Sequence, residues 1–209
     1  MIETFPTIYL VAHGETAWTL TGQYNGMTDL PLAEQGEEAA RALKRRLHRL
    51  TFAKIFTSPL QRAFQTCEIA GFGHLAEIDS DLRDWDYGSY EGQTNADIRA
   101  GCPDWQLFRH GCPRGETPEL VTARADGVIT RLRFCQDNVL VFSSCNFIRA
   151  LAVRWIGLSL SSNARRFALN HGSLSAVGYD GSLSRPVVAL WNEYHGTSRP
   201  TLTRGVPTV

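Results

Sequence analysis

A buried strand that breaks directly into polar residues constrains this chain more than any other feature. Thr7–Ala12 (T-I-Y-L-V-A) is a short β-branched run of the kind that fills a parallel strand, and His13-Gly14-Glu15-Thr16 follows it at once. The event recurs at Asn138–Ser143 (N-V-L-V-F-S), which gives way to Ser144-Cys145-Asn146. Strands of this kind alternate with helical patterns along the chain. That layout predicts an α/β protein, a three-layer α/β/α sandwich around a mostly parallel central sheet. Sites in such sheets lie beyond the carboxyl ends of the strands, so His13 and Ser144 are expected to converge although they are far apart in sequence.

Ala39, Leu43, Leu47 and Leu50 recur at helical spacing and predict a helix over Ala33–Leu50. Lys44, Arg45, Arg46 and Arg49 then form a solvated face near its C-terminus, favourable with the helix dipole. Ala53–Thr57 reads as a second strand, Ser58-Pro59 as the opening of a helix over Leu60–Ala70, and Ala76–Ile78 as a weaker strand. Further helices are predicted at Pro118–Phe134 and Asn146–Ile156, and closing strands at Ser173–Tyr179 and Pro186–Trp191. Between Asp84 and Thr117 there is little periodicity beyond a helix at Asn95–Ala100. Long insertions of that kind usually cover a site. The expected organisation is one domain over residues 1–195 with a lid at about 84–117, then a flexible Pro-, Thr- and Gly-rich tail over 196–209.

With 209 residues the chain can bury one sizeable α/β core. Its 21 basic and 21 acidic side chains balance, which argues against a nucleic-acid or membrane surface and for a small-molecule substrate. No apolar run approaches the ~20 residues of a membrane span. The opening M-I-E-T-F-P lacks the basic start and apolar core of a secretion signal, so a cytoplasmic location is expected. Five cysteines, odd in number and without C-x-x-C or zinc-like spacing, read as reduced thiols. No motif for a metal or other cofactor is present, and none is expected.

Five separated fragments resemble the histidine phosphatase superfamily, which includes the phosphoglycerate mutases. Residues His13 to Leu32 follow the pattern R-H-G-E-T-x-W-[ST]-x-[ST]-G-Q-x-x-G-x-T-D-x-P-L of its sugar-bisphosphate phosphatase branch, except that Ala12 stands where the arginine belongs. Ser58–Ala63 matches S-P-L-x-R-A, Leu82–Gly92 matches L-R-E-W-x-Y-G-x-Y-E-G, and Gly115-Glu116-Thr117 matches G-E-[ST]. Val139–Leu151 resembles V-x-S-H-G-x-x-I-R-A-L, with Ser144 in place of the second histidine and Cys145 in place of the glycine. The resemblance spans the chain to about Tyr194.

The resemblance implies that His13 is the phosphoryl acceptor, its neutral imidazole attacking phosphorus. Arg62 corresponds to a phosphate-clamping arginine, suited to gripping oxygens in pairs. Asp84 falls where the general acid, a glutamate, is found, and is one methylene shorter; a capping role is the alternative. Thr19, Gln23, Thr28, Tyr87 and His171 join Arg62 as candidate substrate contacts. His171 could supply a base or a replacement cation, against the plainer reading of a surface-loop histidine. Cys145, at a strand-to-helix turn, is placed where amides and helix dipole lower a thiol pKa, and a Cys145–His13 pair is one candidate for covalent chemistry. A small side chain merely tolerated in place of glycine is the other reading. Ser144 is a hydrogen-bond donor or a helix N-cap. The aromatic residues Trp18, Tyr24, Trp85, Tyr87, Tyr90 and Trp105 either stack on substrate or form a core of the insertion's own.

Phosphoryl transfer needs positive charge and donors around the migrating group. Each lost donor typically costs about 10²–10³ in rate, so Ala12 and Ser144 together amount to ~5–8 kcal/mol if additive. Laboratory inactivation would explain Ala12, whereas the departure at Ser144-Cys145-Asn146 favours natural divergence. Three functions follow as expectations. The first is acid–base chemistry (lyase, isomerase or hydrolase type) on a non-phosphorylated organic substrate. The second is a sugar-phosphate phosphatase, weak or deliberately inactivated. The third is a non-catalytic binding protein.

Overall fold

The computed structural model describes residues 5–194; the tail expected to be flexible lies outside the described residues. Six strands share one sheet: β1 (Ile8–Ala12), β2 (Lys54–Thr57), β3 (Glu77–Ile78), β4 (Val139–Ser143), β5 (Ser173–Tyr179) and β6 (Pro186–Tyr194). Their order is β3-β2-β4-β1-β5-β6. The four strands β3, β2, β4 and β1 are mutually parallel, while β5 runs antiparallel to β1 and β6 antiparallel to β5. The sheet is therefore mostly parallel, as its buried apolar runs predict.

Eight α-helices accompany it among the described residues: α1 (Ala17–Thr21), α2 (Glu34–Leu47), α3 (Gln61–Ile69), α4 (Asn95–Gly101), α5 (Leu107–His110), α6 (Pro118–Arg133), α7 (Cys145–Trp155) and α8 (Leu160–Asn163). Strand side chains alternate between faces, and the core divides accordingly. Val11, Leu140, Phe142 and Leu174 pack with Leu43 and Leu47 of α2 and Cys67 of α3. Ile8, Leu10, Ala12, Val139 and Val141 pack with the buried sides of α6 and α7. Helices thus cover both faces, giving the expected three layers.

Several helix ends differ from the sequence expectation for local reasons. The second helix stops at Leu47, not Leu50, with Lys44, Arg45 and Arg46 in its last turn and Glu34 and Glu37 in its first, an arrangement that suits its dipole. Pro59 lies outside α3; Ser58 Oγ instead accepts from the Leu60 amide, 3.3 Å away, and the helix begins at Gln61. At α6, Thr117 caps the Leu120 amide and Pro118 sits at the first helical position, where its missing N–H costs nothing. The short helices α1, α5 and α8 carry too little periodicity to be seen in sequence.

The stretch expected to act as a lid is anchored in the main core. Trp85, Tyr87, Ile98, Trp105 and Phe108 are buried in the same cluster as β1 and α7, with Tyr24 and Tyr90 packed against it. Tyr24 meets Tyr87 and Trp105 at ring-centroid distances of 4.7 and 5.6 Å, and Tyr90 meets Trp105 at 5.2 Å. These rings are packing residues. Indole N–H groups bind carbonyls within the same stretch, Trp85 to Glu116 and Trp105 to Gly111, each at 2.9 Å.

Candidate active site

The sheet brings His13 and Ser144 side by side. β1 and β4 are adjacent and parallel, with Ala12 opposite Ser143, and the His13 amide donates to the Ser143 carbonyl at 2.9 Å. A Cβ on Gly14 would lie 2.3 Å from the Gly36 carbonyl oxygen, so only glycine lets this turn rest on the start of α2. Gly172 N donates to the carbonyls of both Ala12 and His13 at 3.1 and 2.9 Å, tying the loop before β5 to the same turn.

His13 is almost wholly buried, at 1% exposure. Its Nδ1–H donates to the Gly14 carbonyl at 2.7 Å, which leaves Nε2 as a lone pair. Arg62 Nε donates to that lone pair at 3.1 Å. Burial, followed by the nearby Arg62 and His171, holds the His13 pKa well below its ordinary value, so the ring is neutral. This is the protonation state a nucleophilic imidazole requires.

Arg62, fully buried, is fixed by the loop after α1. Its NH1 donates to the Thr28 carbonyl at 3.2 Å, and its NH2 to Asn25 and Gly26 carbonyls at 2.8 and 2.6 Å. Four of its five N–H donors are therefore committed to protein atoms, Nε–H to His13 included. These bonds tie His13 to the loop that follows α1.

Asp84 lies beside it, with Oδ2 3.9 Å from Arg62 NH2 and Oδ1 accepting from the Trp85 amide at 2.8 Å. Burial pushes the Asp84 carboxyl up to about 6, and Arg62 only partly opposes it. Such a group can be a proton donor in mildly acid water and a base above that. Tyr87 Oη donates to Asp84 Oδ2 at 3.5 Å and accepts from Asn146 Nδ2 at 2.7 Å. Arg149 NH1 in turn donates to Asn146 Oδ1 at 2.9 Å. Burial, then the Asp84 charge, raises the Tyr87 phenol well above its usual range. Arg124 fixes the main chain here, donating to the carbonyls of Asp81, Arg83 and Asp84 while it pairs with Glu116 at 2.7 Å.

Three expectations are corrected by this geometry. Cys145 meets His171, Sγ to Nδ1 at 3.4 Å, and not His13. Its thiol is raised well above its ordinary pKa, by burial first and then by the carboxylates of Glu15 and Asp84, against the opposing pull of Arg149 and Arg62. His171 is no surface histidine: its side chain is 10% exposed, its ring centroid is 4.9 Å from that of His13, and its Nε2 is 4.0 Å from Glu15 Oε2. Ser144 occupies the N-cap position of α7 but caps nothing, and its buried Oγ has no hydrogen-bond partner.

The loop candidates divide. Thr28 contributes its carbonyl to Arg62, as above, and its amide donates to Glu91. Thr19 closes a capping box with Thr16 and donates its hydroxyl to Glu15. Gln23 is turned toward the insertion, donating to the Gly92 carbonyl at 2.8 Å, and makes no hydrogen bond to the His13 group. Glu15, Asn146 and Arg149 were missed as site residues. The signal for them was the Asn146-x-x-Arg149 spacing on one helix face and the place of Glu15 directly after His13-Gly14. A cavity of about 240 Å³ lined by Phe56, Leu82, Val128, Arg131 and Leu132 lies apart from this cluster. Among the described residues no group of histidine, cysteine and carboxylate side chains could hold a metal. No described helix is long and apolar enough to cross a membrane.

Comparison with known proteins places the chain in a family. The sequence model of the histidine phosphatase superfamily (branch 1) matches residues 8–194. An acid phosphatase of Mycobacterium tuberculosis is 35% identical over 177 residues, 83% of this chain and 86% of that protein. A sedoheptulose 1,7-bisphosphatase of Saccharomyces cerevisiae is 31% identical over 188 residues, covering 74% and 69% of the two chains. The solved structure of a Mycobacterium tuberculosis open reading frame product superposes with a TM-score of 0.86 at 33% identity, over 91% of this chain and 98% of that one. This chain belongs to the histidine phosphatase superfamily, with the phosphoglycerate mutase-like fold.

Proposed function

We propose that this chain is a slow phosphatase acting on a small phosphorylated molecule of the sugar-phosphate class. One observation carries the reading: His13 is neutral, with Nδ1–H fixed on the Gly14 carbonyl and the Nε2 lone pair directed at Arg62. That tautomer is the one an in-line attack on phosphorus needs. Arg62 Nε–H releases the Nε2 lone pair, Nε2 bonds to phosphorus, the P–O bond to the sugar breaks, and the leaving oxygen takes the proton of neutral Asp84. Water then attacks the phosphohistidine, its proton going to the Asp84 carboxylate, and phosphate leaves. The acid phosphatase and sugar bisphosphatase relatives support this choice of substrate.

The rate is low because the cations are few. Ala12 supplies no guanidinium, Ser144 supplies no imidazole, and Arg62 must let go of His13 Nε2 and exchange carbonyl partners for phosphoryl oxygens. The last point also favours a second reading, acid–base chemistry on a non-phosphorylated substrate, in which Arg62 keeps its carbonyl bonds. Phosphate release from a panel of sugar phosphates separates the two. The phosphatase reading expects slow release that disappears in His13→Ala and rises at least about tenfold in Ala12→Arg/Ser144→His/Cys145→Gly. Release no faster than in His13→Ala, for every substrate and for the rebuilt variant, contradicts it.

A further inference from the structure

The His13 group contains a second imidazole that takes no part in the phosphoryl step. His171 enters from the loop before β5, and Gly172 next to it is bonded to the Ala12 and His13 carbonyls, so its placement follows from the pairing of β5 with β1. Its ring lies 4.9 Å from His13, its Nε2 is 4.0 Å from the Glu15 carboxylate and its Nδ1 is 3.4 Å from Cys145 Sγ. Glu15 is itself held by the Thr19 hydroxyl.

The charges around this ring do not suit an anion at rest. Arg62 and Arg149 are the fixed cations of this group, and the Glu15 and Asp84 carboxyls face the same space. His13 is neutral, Cys145 is a protonated thiol, and Tyr194 lies farther out within the field of Glu15 and Glu38. Both guanidiniums are already engaged, Arg62 by three carbonyls and Arg149 by the Ala164 carbonyl and Asn146 Oδ1, so a tetrahedral dianion buried here needs another positive charge. Among the groups facing it, only His171 pairs a titratable nitrogen with a carboxylate placed to stabilise the imidazolium. Burial lowers the His171 pKa, which Glu15 only partly offsets, and so favours the neutral ring. Ser144 Oγ, buried and without a hydrogen-bond partner, lies at the same end of β4 and is a polar atom free to meet a ligand oxygen.

We propose that His171 is the anion-dependent cation of this site, taking up a proton as a phosphoryl or phosphate group binds and lying between that group and the Glu15 carboxylate. The inference rests on the phosphatase reading but is tested apart from turnover. Sulfate serves as the probe, since it is a tetrahedral dianion that does not itself titrate near neutral pH. Its Kd is measured by calorimetry from about pH 5.5 to 8 for the intact protein. Uptake of one proton weakens binding by up to about tenfold per pH unit as pH rises, with matching proton uptake in buffers of different ionisation enthalpy.

Asp84 titrates in the same range, so its contribution is removed with Asp84→Asn, which should keep the slope. His171→Gln should lose it. His171→Lys, with a permanent charge, should bind sulfate with no slope. A slope that survives His171→Gln, or vanishes in Asp84→Asn, overturns the proposal, as does absence of sulfate binding at pH 5.5. If His13-dependent phosphate release persists while the slope does not depend on His171, this inference fails and the phosphatase reading stands. If no variant releases phosphate yet the His171-dependent slope is found, the reverse holds.

Discussion

Replacing Asp84 with asparagine should make the protein more stable at neutral pH and leave it little changed in acid. The carboxyl is buried beside Arg62, and its pKa is raised from an ordinary 3.8 to about 6 because desolvation exceeds the attraction of the guanidinium. A folded state that holds a proton more tightly than the unfolded chain is favoured below the unfolded pKa and loses that advantage as pH rises through the folded one. Wild type should therefore lose stability between about pH 4 and pH 6 and reach a plateau above. At about 1.4 kcal/mol per pH unit the loss is about 3 kcal/mol, an upper figure for a site able to relax. Asparagine fits the same place: its oxygen can keep the Trp85 amide, and its NH₂ can face Tyr87 Oη. Urea unfolding of both proteins at about pH 4 and pH 7.5 measures the effect, and comparing the two pH values cancels the change in hydrogen bonding. The Asn variant should gain about 2–3 kcal/mol on wild type between the two conditions. An equal difference at both pH values would refute burial as the cause of the raised pKa.

Cys145 should resist alkylation in the folded protein while exposed Cys102 reacts, as peptide mass mapping after iodoacetamide treatment near pH 8 would show; preferential labelling of Cys145 would contradict its raised thiol pKa. Arg124→Ala removes the main partner of buried Glu116 and three carbonyl bonds, and should cost about 3–5 kcal/mol in urea unfolding. Gly14→Ala places a methyl 2.3 Å from the Gly36 oxygen, so the turn must shift. It should lose about 1–3 kcal/mol of stability and any His13-dependent turnover together.

The frame of the fold was legible because its signals are local. Strands β1 and β4 are unbroken apolar runs, and each stops where a polar residue must leave the sheet, so His13 and Ser144 could be placed at neighbouring strand ends from sequence. What stayed hidden depends on contacts between distant segments. No pattern in Asn170-His171-Gly172 shows that β5 lies antiparallel beside β1 and carries His171 onto His13. Nor does the sequence near Arg62 show that carbonyls of Asn25, Gly26 and Thr28 will take its donors. For Cys145 the local rule points to a thiolate at a helix N-terminus, whereas burial and the Glu15 and Asp84 carboxylates, brought in from other segments, raise the thiol pKa. The insertion's aromatic residues were ambiguous because stacking on a ligand and packing in a core call for the same side chains. The structure places Trp85, Tyr87 and Trp105 in the core.

Whether His13 becomes covalently phosphorylated is the most direct test of the account. Protein mixed with a sugar bisphosphate and denatured in alkali, which preserves phosphohistidine, can be weighed intact and the modified peptide sequenced. A phosphoryl group on His13, accumulating slowly and absent from His13→Ala, is the expected result. Phosphate release without any such adduct, or an adduct on another residue, would contradict the nucleophilic role given to that imidazole.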